Sequence, residues 1–303
     1  MRKAGLLELN AVVAVAQHRS FRAAAAELGL SPSALSHAIS TLEQRMGVRL
    51  FNRTTRSVAL SEAGERFLSL VRPALREISD AMEVINEFKD KPTGTLRLNT
   101  SEGAARLVVM PLVTEFLRRY PEMQVELTTE DRLIDIVAEG FDAGVRLAEA
   151  VPQDMVAVPC SPKVSFAVVG APRYFKGRTP PATPGDLLAH NCIRHRRRSG
   201  GYFRWEFEKR GKEVVVDVKG SLALDNDTLM LQAALKGTGL AYVSDWAAAA
   251  DVAAGRLVRV LEDWTPSYPG LCLYYPGHRH VPAGLKAFIG IIREARSRRA
   301  EAD

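Results

Sequence analysis

The chain has 303 residues, 47% of them hydrophobic, a formal net charge of +6 and a sequence pI near 9.3. That is long enough for two or three domains with sizeable cores, and no apolar run approaches the ~20 residues of a membrane span, so no membrane partner is expected. The three cysteines, Cys160, Cys192 and Cys272, are odd in number and far apart; this fits a reducing cytoplasm and argues against a disulfide framework.

The charge is localised. Residues 1–60 hold eight basic side chains (Arg2, Lys3, Arg19, Arg22, Arg45, Arg49, Arg53, Arg56) against three acids (Glu8, Glu27, Glu43), which is nearly all of the net positive charge. A local basic excess is the footprint of a polyanion. A first helix is predicted over about residues 6–18, with Leu9, Val12, Val13 and Ala16 at helical spacing. Ser20 caps a second helix, where Phe21 packs inward and Ala23–Ala26 allow close approach, and Gly29 ends it through a positive φ. Ser31 and Pro32 open a third helix, whose buried stripe is Leu35, Ile39, Leu42 and Met46. Its other side presents Ser33, Ser36, His37, Ser40 and Gln44, short hydrogen-bonding groups suited to base edges and phosphates. A short hairpin with Arg49, Arg53 and Arg56 follows. This is the layout of a winged helix-turn-helix, with Arg22, Arg53 and Arg56 as phosphate or minor-groove contacts.

Ser61, Glu62 and Glu65 start a long helix. Phe67, Val71, Ala74, Ile78, Ala81, Ile85 and Phe88 recur at steps of 4 and 3 and form a heptad seam, the expected dimer contact. Pro73 within it predicts a kink, and "KDKPTG" (89–94) reads as a hinge. Domain limits are therefore expected at 1–60, 61–91 and 92–303.

From residue 95 strands and helices alternate: "TLRLNT", a helix over 106–120 interrupted at Pro111, "QVELTT", a helix over 132–139, and "DAGVRL". Further strands are expected near 164–169, 191–195, 214–219 and 240–243. This predicts a parallel sheet with right-handed crossovers and two α/β lobes with a cleft between them, lobe I over about 92–162 and 267–303 and lobe II over 163–266. Ligands bind outside the carboxyl ends of such strands, where Thr100, Ser101, Thr128, Thr129, Arg146, Asn226 and Thr238 are placed. Hydroxyls and free N–H groups at Thr100 and Ser101 suit an oxyanion, and Arg146 suits a carboxylate or a structural salt bridge. Phe166 and Arg194, the latter in the run Arg194–Arg198, join this set.

The segment "SFRAAAAELGLSPSALSHAISTLEQRMGVRLFNRTTRSVALSEAG" resembles the DNA-binding region of LysR-type transcriptional regulators. "MPLVTEFLRRYPEMQVEL", "AEGFDAGVR", "GAPRYF", "PGDLLAHNCI", "GTGLAYVSDW" and "AAGRLVRVLEDW" resemble the periplasmic-binding-protein-like effector domain of the same family. The likeness spans nearly the whole chain; one departure is Ala148, where the family often has Gly two residues after the strand arginine. It implies an all-α winged helix-turn-helix head joined to a two-lobed α/β effector domain. It also implies double-stranded promoter DNA, a small-molecule effector, RNA polymerase and further copies of the chain, as homodimer or homotetramer, for partners. The expected effector is a carboxylate-bearing metabolite. No enzyme constellation is present: no phosphate-cradling Gly-rich fingerprint, no H-E-x-x-H and no G-x-S-x-G. His190 and His195 flank Cys192, and His278 and His280 stand two apart, but neither spacing fits a zinc pattern, so no metal or cofactor is expected. Two rival readings are a cysteine-based redox sensor of the same architecture and a solute-binding protein or small-metabolite enzyme.

Overall fold

Two serine caps set the register of the first sixty residues. Ser20 Oγ accepts from Ala23 N at 3.3 Å and Ser31 Oγ from Ala34 N at 3.1 Å, so each of the two short helices starts where its cap stands. The computed structural model describes residues 5–54, 58–84, 91–130, 132–197, 200–277 and 281–301, with only the backbone of 76 and 79–84. The chain divides between Asp90 and Lys91 into two compact units.

In the first unit α1 (Leu6–His18), α2 (Phe21–Glu27) and α3 (Pro32–Met46) precede a hairpin of β1 (Phe51–Arg53) and β2 (Val58–Leu60) and the 23-residue α4 (Glu62–Val84). Gly29, at φ 63°, makes the turn between α2 and α3. Ala11, Val12, Ala14, Val15, Ala24, Ala25, Leu35, Ile39, Leu42, Leu50, Phe51 and Leu68 form its core. The buried face of α1 is thus broader than the expected stripe, and Met46 is exposed in the last turn of α3 rather than buried. Gly64 is obligatory: a Cβ there would stand 2.1 Å from the Leu50 carbonyl oxygen, because α4 crosses the hairpin at that point.

In the second unit β3 (Gly94–Thr100) leads into a continuous helical segment: α5 (Glu102–Ala104), a π-helical turn (Ala105–Val109) and α6 (Met110–Arg119). The helix therefore starts four residues before the expected 106, and Pro111 falls in the first turn of α6, where its missing N–H is tolerated. Next come β4 (Met123–Thr129), β5 (Ala143–Leu147) and β6 (Met155–Pro159). Residues 132–139 are not the expected helix; they form turns closed by Phe141 N to Ile136 O at 2.8 Å. β7 (Val164–Gly170), β8 (Arg194–His195), β9 (Trp205–Lys209), β10 (Lys212–Val216) and β11 (Ala223–Leu224) follow. The chain then runs through α7 (Asp227–Leu235), β12 (Ala241–Ser244), α8 (Asp245–Ala253), β13 (Val258–Val260), β14 (Ser267–Tyr268), β15 (Leu271–Pro276) and α9 (Ala283–Ala300).

Lobe I is a five-stranded sheet of order β4-β3-β5-β15-β6. β3 is parallel to β4 and β5, but β15 is antiparallel to both β5 and β6, so the sheet is mixed rather than all parallel. α6 and α9 cover one face, with Phe116 and Phe288 edge to face at 5.4 Å. In lobe II β7 is flanked by antiparallel β12 and β13 and also pairs with β14, so the return to lobe I comes after Tyr268, two residues later than expected. Tyr242 is the hub of the lobe II core, ringed by Phe166, Phe203, Trp205 and Phe207.

Candidate nucleic-acid interface and interlobe cleft

The outer side of α3 carries the expected reading residues. Pro32, Ser33 and His37 are exposed and Ser36 and Ser40 half-buried, while Leu35, Ile39 and Leu42 point into the core. Ser31 is occupied as the cap and shares a 3.0 Å contact with Ser33. Thr41 Oγ1 stands 3.5 Å from His37 Nδ1, one helical turn on. Arg22 is exposed in the first turn of α2.

Arg53 is not a free wing charge. Its guanidinium donates to Glu43 Oε2 at 3.1 Å and to Ser36 Oγ at 3.4 Å, and lies over the Phe21 ring at 4.5 Å. Glu43 in turn accepts from Leu50 N at 2.8 Å and Phe51 N at 3.1 Å through its other oxygen. One carboxylate thus ties the hairpin to the reading helix. The sequence reading passed over Glu43; its signal was a lone acid on a polar helix face beside a basic hairpin. Arg56 lies outside the described residues.

On α4, Phe67 and Val71 are half-buried, Ala74 is exposed and Ile78 is 47% exposed, while Leu70 beside the seam is 74% exposed. Ala81 is described in its backbone only, and Ile85 and Phe88 lie outside the described residues.

In the second unit Thr100, fully buried, and Ser101 end β3 and open α5; Ser101 Oγ accepts from Ala104 N at 3.4 Å. Thr128 and Thr129 are exposed on the edge strand β4. Arg146 does not face a ligand. It is 7% exposed, and its guanidinium donates to the Val145, Glu130 and Arg132 carbonyls and to Asn99 Oδ1 at 2.6–3.0 Å, so it braces the sheet against the 130–132 segment. Phe166 stacks on Tyr242 with ring centroids 5.2 Å apart, inside lobe II. Arg194 lies over Tyr202 at 3.5 Å and pairs with Asp217 at 3.5 Å. Asn226 Oδ1 caps α7 through Leu229 N at 2.9 Å.

Thr238 is not brought to this set. It follows the carboxyl end of α7 and precedes β12, whereas Asn226 caps the other end of the same helix; nine residues at ~1.5 Å per residue separate them by roughly 13 Å. The sequence reading missed two residues that do meet. Thr228 Oγ1 donates to Glu102 Oε1 at 2.5 Å, joining the first turn of α7 in lobe II to the first turn of α5 in lobe I. A π-helical turn sits immediately beyond α5, and such turns are frequent at functional sites.

The cysteines are placed against redox pairing. Cys160 stands opposite Leu271 and packs with the lobe I core, while Cys272 pairs with Pro159 and Arg146 and so points to the other face of the sheet. Burial pushes the Cys160 and Cys192 thiols up to about 12. His190 is hydrogen-bonded to the Tyr174 hydroxyl at 3.2 Å, and His195 lies 6.5 Å from the Phe203 ring centroid. Among the described residues no three His, Cys, Asp or Glu side chains come together as a metal site, and no helix is long and apolar enough to cross a membrane.

Comparison with known proteins agrees with both units. Residues 6–65 match the family model described as bacterial regulatory helix-turn-helix protein, lysR family, and residues 89–297 match the LysR substrate binding domain. The uncharacterized HTH-type transcriptional regulator YcaN of Escherichia coli strain K12 is 46% identical over 280 residues, 92% of each chain. The HTH-type transcriptional regulator PgrR of the same strain is 40% identical over 290 residues, 95% of this chain and 97% of the relative. Among solved structures, the full-length Vibrio cholerae virulence activator AphB, a member of the LTTR protein family, superposes with a TM-score of 0.65 at 22% identity, over 96% of this chain and 99% of that one. The chain belongs to the LysR family and is a transcriptional regulator, built from a helix-turn-helix domain and a LysR substrate-binding domain.

Proposed function

We propose that the protein binds double-stranded promoter DNA as a homodimer or homotetramer and that a small molecule in the interlobe cleft controls this binding. The observation that carries the reading is the polar, outward face of α3, with Ser33, Ser36, His37 and Ser40 set beside the arginine-bearing hairpin. α3 enters the major groove in this reading, while Arg22 and the wing arginines Arg53 and Arg56 hold phosphates or the minor groove. One head of this size buries only ~600–1,000 Å², so linked heads supply the selectivity through effective concentration. The α4 seam of Phe67, Val71, Ala74, Ile78, Ala81, Ile85 and Phe88 joins the copies. The effector is read in the cleft by the residues around Thr100, Ser101, Thr128, Thr129 and Asn226, and RNA polymerase is contacted from the DNA-bound state. Such a protein works in the cytoplasm.

The test is fluorescence anisotropy of the full-length protein on its own upstream DNA over a range of salt. Nanomolar binding that weakens steeply with salt is expected, with weaker binding to random DNA of the same length. Equal affinity for both DNAs, or none, would overturn the reading.

A further inference from the structure

Glu102 stands where the two lobes meet. It is the first residue of α5, directly after Thr100 and Ser101 at the end of β3. Thr228 of lobe II donates to its Oε1, and beside it a Cβ on Gly103 would stand 3.6 Å from Asp227 Oδ2. Two helices therefore begin at this point, one running on from α5 through the π turn into α6, the other α7.

The bonds at this junction are incomplete in one sense only. Ser101 Oγ and Asn226 Oδ1 already take backbone N–H groups of the two helix starts. What remains is Glu102 Oε2, shielded from solvent with no hydrogen-bond partner, and Thr100 Oγ1, also without a partner in a side chain that is 0% exposed. A shielded carboxylate oxygen without a donor is costly, and a neighbouring hydroxyl can both give and take. Charge is already close to balance: each helix start carries roughly +0.5 of partial charge, and the Glu102 carboxylate lies between the two. Asp227 has contacts of its own. A second anion at this junction would be repelled, and a cation would face two positive helix ends. The group that completes the junction is a neutral one that donates to Glu102 and exchanges a hydrogen bond with Thr100, which is a hydroxyl.

We propose that Glu102 is a specificity-determining residue for the effector and that the effector is a neutral polyhydroxylated molecule, such as a sugar or polyol, rather than a carboxylate. Its hydroxyl is held by the same carboxylate that joins the lobes. The inference rests on the effector reading above and assigns that site its ligand chemistry.

The experiment is thermal denaturation of the full-length protein against three panels at millimolar concentration: neutral sugars and polyols (glucose, ribitol, myo-inositol), carboxylates (malate, benzoate) and amines (putrescine). A saturable rise in Tm with a sugar or polyol is expected, with apparent affinity falling about tenfold or more in Glu102→Ala, the scale of one lost hydrogen bond to a charged group. Glu102→Gln, which keeps the shape and one carbonyl acceptor, is the second variant and is expected to lose less; circular dichroism reports whether each variant is folded. A rise with carboxylates or amines alone, or a polyol response that both variants keep, overturns this proposal while leaving a cleft effector in place. No saturable response to any panel overturns the proposal and the effector reading together.

Discussion

Arg53 and Glu43 are joined at 3.1 Å across the hairpin and the reading helix, and the same carboxylate holds the N–H groups of Leu50 and Phe51. The wing is therefore set relative to α3 by a side chain that need not touch DNA. Glu43→Ala leaves two partly buried backbone donors without their acceptor, a loss of about 1–3 kcal/mol. The expected result is a lower Tm for the head with the substrate-binding domain unaffected, read by chemical denaturation of the full chain. An unchanged head would mean the wing is held by packing alone.

Arg53 serves both as a brace and as a cation at the expected DNA surface. Arg53→Ala is expected to weaken binding to specific and random DNA by similar factors and to lower the salt slope by about 1, because a phosphate contact carries no sequence information. Arg53→Lys keeps the charge but not the planar fork over Phe21, so it is expected to keep the salt slope and lose stability. Anisotropy titrations at several salt concentrations separate the two.

Ser36 and His37 are expected to behave differently from Arg53. Their substitution by Ala removes hydrogen-bonding groups from the outward side of α3 without opening the core, so Tm is expected to hold. Discrimination between the native site and single-base variants is expected to fall by about 1–3 kcal/mol for each base that the helix no longer reads. Competition binding with a panel of point-mutated sites measures this; a uniform weakening across the panel would assign these residues to the backbone.

The head was legible because its punctuation is local. Ser20, Ser31, Pro32 and Gly29 act within one turn of where they stand, so caps and turn could be read from spacing. The lobes were less legible because their pairings are distant. Cys160 N bonds to Leu271 O across 111 residues of sequence, and nothing local marks "LCLYYP" as the antiparallel partner of both β5 and β6. The run Leu133–Val137 has helix-like apolar content, but Ile136 alone among Leu133, Ile134 and Ile136 is fully buried and the chain turns at Gly140, at φ 84°. For the cleft, strand ends were located well enough to find Thr100 and Ser101. Arg146 was misjudged because its charge suggested a ligand while its neighbours' carbonyls consume it. Glu102 and Thr228 could not be paired from sequence, since only the folding of lobe II onto lobe I brings them together.

Leu70 and Ile78 place apolar surface on α4 at 74% and 47% exposure, which a single chain leaves in water. Ile78→Asp and Leu70→Asp are expected to shift the full-length protein toward monomer and to weaken DNA binding without changing the affinity of one head for an isolated half-site. Sedimentation velocity gives the oligomeric state. A wild-type monomer, or a dimer untouched by both substitutions, would remove α4 from the assembly.

Thiol chemistry separates ligand control from redox sensing. Burial lifts the Cys160 and Cys192 thiols from 9.0 to about 12, and burial raises Cys272 as well. At pH 8 the thiolate fraction of Cys160 and Cys192 is then about a thousandfold below that of an ordinary thiol of pKa 9, which makes alkylation slow until the chain unfolds. The sign with pH follows from the same shift. Because the folded values lie above the unfolded ones, the stabilising effect of keeping these thiols neutral is present below pH 9 and lost as pH rises from 9 toward 12, where only the unfolded chain ionises readily. Iodoacetamide labelling followed by mass spectrometry is expected to find all three cysteines protected at pH 8 in native protein and labelled in denaturant. DNA affinity is expected to be the same before and after mild peroxide. Rapid native labelling of any one of them, with a change in DNA binding on oxidation, would restore the redox reading.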